Sequence, residues 1–102
     1  MKLPESQVRY IDRPEISETF VDSLGVVTFD GITRLELCVT RLDPPNPPDQ
    51  PTAIQSPVCR IVMTPEATVI LYNQLQNIMN LLQQAGVVTK QEGQPPQIIK
   101  RH

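Results

Sequence analysis

Apolar and polar positions alternate with period two in ETFVDSLGVVTF and in ITRLELCVTRLD, and the two runs flank Asp30-Gly31. Period-two runs joined by Asp-Gly predict a β-hairpin. A two-residue turn would pair Phe29 with Ile32, Val26 with Leu35 and Leu24 with Leu37. Leu24, Val26, Leu35, Leu37 and Val39 would then share one apolar face. Val27, Phe29, Ile32, Arg34, Glu36, Cys38 and Thr40 would share the other, a mixed face open to interaction at Val27, Phe29, Ile32 and Arg34. Gly25 inside the first strand predicts a bulge or a close backbone approach. VCRIVM, residues 58–63, predicts a third strand.

From Thr64 the period changes to that of a helix. Thr64 is a favourable N-cap, Pro65 suits the first helical position, Glu66 lies in the first turn, and Gly86 fits the position that ends a helix. At 100° per residue, Ala67, Leu71, Leu75, Ile78 and Leu82 fall within one quadrant and are expected to lie on the sheet. Tyr72 and Met79 widen the apolar arc on one flank, Ile70 and Leu81 on the other, to about 200°, twice what a surface helix needs to cover a sheet. The remaining side carries Asn73, Gln76, Asn77, Asn80, Gln83 and Gln84, interrupted by Val69, and between Glu66 and Gly86 there is no charge. One small sheet cannot bury so wide an arc. Amides also enter an interface without the desolvation cost of ions. The helix is therefore expected to meet another copy of the chain through Val69, Ile70, Tyr72, Asn73, Asn77, Met79, Asn80 and Leu81. The alternative is a monomer whose amides face water.

These elements give an α+β domain: a three-stranded, mostly antiparallel sheet with one long helix packed on one face, in the order β-β-β-α. The domain spans 17–86. Residues 1–16, polar and without a period, form a flexible N-terminal arm, and 87–102 are expected to be a disordered tail. Within the domain a Pro-rich connection, 43–57, holds six of the eleven prolines and reads as a stiff exposed loop. Its Pro44, Pro45, Pro47 and Pro48 have the spacing of a polyproline ligand and so form a candidate partner-binding loop. The reading favoured over it is a rigid crossover between strands.

Length and charge narrow the function. With 102 residues, this is one domain's worth of chain, and its core is thin. A net charge of -2 argues against a dedicated nucleic-acid binder. Arg34, Arg41 and Arg60 could still gather on the sheet, which keeps a nucleic-acid-associated accessory protein as the alternative function. The one histidine, His102, is the last residue, so no Ser-His or Cys-His pair is expected. No spacing offers a metal site, and the glycines are too few for a phosphate cradle. No catalytic residue, metal or cofactor is assigned. Asp22 is expected to pair with Arg41. Cys38 and Cys59 sit in apolar strand runs as small buried hydrophobes, with a cross-strand disulfide as the minor alternative. No apolar leader or membrane-length run is present, so a cytoplasmic location is expected.

Arg60, Ile61, Val62, Met63, Thr64 and Pro65, with Ala67, Leu71 and Leu75 following, resemble a group of short bacterial proteins classed as a domain of unknown function. These carry a hairpin, an R-I/V-V-M-S/T-P strand end and an amphipathic helix. With the Asp30-Gly31 hairpin the likeness covers about half the chain. The long Pro-rich connection and the charge-free helix depart from the pattern. The resemblance implies the fold and no catalytic residue. The function expected from the residues is a non-enzymatic assembly or adaptor protein. It acts as a homo-oligomer through the amide-rich helix and the open sheet face, and it binds a protein partner.

Overall fold

The computed structural model describes residues 7–43, 50 and 52–99. Strands β1 (Ser23–Phe29), β2 (Thr33–Asp43) and β3 (Thr52–Met63) form an antiparallel sheet in that order, and helix α1 (Pro65–Gln84) follows. Two short strands, β4 (Val88–Thr89) and β5 (Gln97–Ile98), close the described chain as a second antiparallel pair. The β-β-β-α arrangement expected from the sequence is present.

The hairpin turn is one residue longer than Asp-Gly alone requires. Phe29 pairs with Thr33, leaving Asp30, Gly31 and Ile32 as the loop, and Gly31 takes φ +87°, where a Cβ would be strained. A one-residue slip sends side chains to opposite faces. Val27 therefore pairs with Leu35 and joins the apolar face with Phe29, instead of the mixed face expected for them. Ile32 lies in the turn, and Arg34 points to the opposite side from Val27 and Phe29. The four residues expected to share one interaction face are thus divided. The bulge expected at Gly25 restores the register, so that Leu24 pairs with Leu37 as the sequence predicts. It also explains the glycine, because a Cβ there would run into the Glu36 carboxylate and lie 3.1 Å from Cys38 Sγ.

β3 is 12 residues long and takes in the second half of the expected loop. Pro57 pairs with Cys38 where the register shifts, and proline is tolerated in a strand at such an irregularity on a sheet edge. The connection between β2 and β3 shrinks accordingly, and Pro44, Pro45, Pro47 and Pro48 lie outside the described residues. Cys59 pairs with Leu37 on one face, while Cys38 faces the other way beside Gly25 and Pro57. Both thiols are free, and their opposite orientation is why the alternative of a disulfide does not arise.

The caps read from the sequence hold the helix. Thr64 Oγ1 accepts from the Ala67 amide at 3.1 Å, and Pro65 opens the first turn. At the other end Gly86, with φ +77°, donates to the Gln83 carbonyl and Val87 to that of Leu82. This double bond pattern is the Schellman termination. After the helix, residues 87–99 hold the short β4–β5 pair. Val88 is buried, and Ile99 donates to the Val87 carbonyl at 2.9 Å, which ties the β4–β5 pair to the end of the helix. At the start of the chain, residues 7–20 form an exposed arm without regular strands, and Asp22 joins the β1–β2 ladder through its amide, which donates to the Cys38 carbonyl at 3.1 Å.

Helix and sheet meet only near their junction. The Thr68 and Thr33 hydroxyls are hydrogen-bonded at 2.7 Å. Beyond that the helix carries no buried residue, so packing on the sheet is limited to its first turns. Thr64, the sole residue between β3 and α1, is extended and followed by proline. So short a link fixes the exit angle and leaves no slack for the helix to lie back over the strands. The radius of gyration is 18.4 Å, against about 13 Å for a compact domain of this length.

Candidate assembly surface

Three apolar surfaces converge around the helix. The first is the sheet face formed by Leu24, Val27 and Phe29 from β1, Leu35, Leu37 and Val39 from β2, and Cys59 and Ile61 from β3. These side chains share a face because each Cα pair of an antiparallel ladder points the same way. Phe29 is 65% exposed, and Leu24 and Val27 are also open to solvent. The second surface is the helix stripe. Leu75, at its middle, is 44% exposed and Ile78 46%, although the helical period aims both at the sheet. The third is a hollow of about 630 Å³ at the junction, bounded chiefly by Val27, Phe29, Pro65, Val69 and Tyr72.

The residues expected at an oligomer interface are placed as follows. Val69, Ile70, Tyr72 and Leu81 are exposed, as are Asn73, Asn77 and Asn80. Met79 is half-buried, because the β4–β5 pair reaches that flank. A hollow of about 420 Å³ separates the pair from the helix, between Leu75 and Met79 on one side and Val88 and Pro96 on the other. The Tyr72 hydroxyl accepts from Gln76 Nε2 at 2.7 Å, so one amide of the wet side is satisfied within the helix itself. Among the described residues only Cys38 and Val88 are buried hydrophobics. The chain exposes 9499 Å². A compact monomer of its mass exposes about 5,800 Å².

The opposite sheet face is mixed: exposed Val26 and Val62 stand beside two ion pairs. Arg60 Nε lies 3.0 Å from Glu36 Oε2, and Arg34 Nε lies 3.6 Å from Asp30 Oδ1. Arg41 projects from the other face of β2, since it lies an odd number of residues from Arg34 along a regular strand. The three arginines therefore do not gather into one basic patch. Asp22 is not paired with Arg41 either. Its Oδ1 accepts from the Thr40 amide at 2.9 Å, extending the β1–β2 ladder by a side-chain bond. Among the described residues no group of three or more His, Cys, Asp or Glu side chains is placed to hold a metal ion. No described helix is long and apolar enough to cross a membrane.

Sequence reasoning found Leu24, Leu35 and Leu37 as one face and missed the contribution of β3, whose Ile61 and Cys59 extend it. The signal was the alternation in PVCRIVM, which places Cys59, Ile61 and Met63 on one side. The β4–β5 pair gives no such signal, because two-residue strands carry no measurable period. No protein-family model, curated protein or solved structure matches the chain.

Proposed function

We propose that this chain is a non-enzymatic interaction module that works as a homo-oligomer and, in that form, serves as an assembly or adaptor unit for a protein partner. The observation that carries the reading is the bare mid-helix. Leu75 and Ile78 occupy core-facing positions and still keep nearly half their surface in water. Fully burying a large aliphatic side chain is worth about 1.5–3 kcal/mol. A sheet face and a helix stripe left open together therefore favour association strongly. Exposed apolar patches of this extent on a small chain mark interaction surfaces. The charge-free helix fits the same role, since a surface that packs against it has no ion of the helix to desolvate.

Light scattering on the purified chain, from low to high micromolar concentration, tests the reading. The expected mass is that of a dimer or a larger closed assembly. A chain that keeps the monomer mass at high micromolar concentration refutes it.

A further inference from the structure

We infer that two copies exchange helices: the Leu71/Leu75/Ile78 stripe of each copy lies across the Leu35/Leu37/Ile61 sheet face of the other. The inference rests on the homo-oligomer reading and specifies its geometry. Three observations carry it. The first is the link. A helix held by a one-residue connection, an N-cap and the Thr68–Thr33 bond projects from its own sheet, so its stripe is offered to a second molecule. The second is the match in size. The 20-residue helix is about 30 Å long, and the 11-residue β2 that forms the middle of the sheet spans about 36 Å. One helix covers one platform along most of its length. The third is closure. Pairing helix with helix leaves both sheets bare, and pairing sheet with sheet leaves both helices bare. Reciprocal exchange about a two-fold axis covers both kinds of surface in one closed dimer.

In the exchanged dimer each platform receives an aliphatic ridge with no charge to desolvate. The outer flank of the helix, with Ile70 and Leu81, then lies at the edge of the interface. The amide side faces away from the sheet that the stripe covers.

The native Cys59 tests the geometry, since it is half-buried on the platform face opposite Leu37. Leu71→Cys, Leu75→Cys and Ile78→Cys are introduced singly into the full chain. Each purified variant is weighed by light scattering and then oxidised and resolved on a non-reducing gel. A disulfide needs Cα atoms about 4.4–6.8 Å apart, so a scan along the stripe locates the crossing. The expected result is a covalent dimer for at least one variant that is lost when Cys59→Ala is added. A covalent dimer that survives Cys59→Ala in all cross-linking variants joins helix to helix and overturns the exchange. A disulfide closed within one chain overturns it as well. Samples with dimer mass but no Cys59-dependent band at any of the three positions overturn the exchange and leave the homo-oligomer standing. Monomer mass for the unsubstituted chain removes both.

Discussion

Truncating Leu75 to alanine isolates the energy of the mid-helix. Leu75 keeps 44% of its surface in the single subunit. Its complete burial would be worth about 2–3 kcal/mol, so association has a little under half of that left to collect, about 1 kcal/mol per copy. A two-fold interface contains the residue twice. Leu75→Ala should therefore weaken a dimer by about 2 kcal/mol, roughly 30-fold in Kd. A cavity left on the partner's platform would add to this loss. Sedimentation equilibrium on the wild-type chain and the variant measures the difference directly. Gln84→Ala, on the exposed last turn of the helix, serves as the control and should move Kd by less than about threefold, as surface substitutions do. Circular dichroism should still show a folded helix in both variants, with Leu75→Ala the less stable of the two to heat, because just over half of Leu75 is already covered within the single subunit. An unchanged Kd for Leu75→Ala would refute the placement of the stripe in the interface.

Two other variants test different parts of the structure. Ile70→Glu combined with Leu81→Glu should split the oligomer while leaving the far-ultraviolet spectrum intact, because both residues are largely exposed within one chain; unfolding would show them to be core instead. Gly25→Ala should destabilise the fold by about 1–3 kcal/mol, the usual cost of overpacking, since the new Cβ meets the Glu36 carboxylate and Cys38 Sγ; urea unfolding at fixed protein concentration reads the change, and a neutral result would mean that the bulge relaxes freely.

The parts of this fold that were legible in the sequence are those set by local chemistry. Thr64, Pro65 and Gly86 mark the helix because capping depends on residues within one turn of the boundary. Asp30-Gly31 marks the hairpin for the same reason. What escaped is set by pairing across the sheet. The three-residue loop moves Val27 and Phe29 to the Leu35 face, and the bulge at Gly25 then restores Leu24 opposite Leu37. The bulge was expected from Gly25, but its effect on which faces pair depends on the length of the loop, which local alternation does not set. Pro57 concealed the first half of β3, because a proline argues for a loop unless the strand is already known to lie on an edge. The width of the helix's apolar arc was legible, and so was the mismatch with its small sheet. The distance between helix and sheet was not, because it depends on the exit angle at Thr64.

The edges of the sheet explain why association should run through faces. An edge strand exposes unpaired backbone groups and invites a further strand, unless something blunts it. β1 is seven residues long and bulged at Gly25 and Val26, so it presents no straight ladder. β3 is longer, but Pro57 removes a backbone donor near its middle, and Arg60 keeps a large exposed cation close by. Both edges therefore discourage sheet extension, which disfavours an assembly built by continuing the strands from copy to copy. The aliphatic face of the sheet carries a charge, Arg41 beyond Val39, while Leu24, Val27 and Phe29 stand open at its other end. Blunted backbone edges beside open side-chain surfaces favour packing through faces, and in the proposed exchange the surface of matching length and character is the helix of another copy.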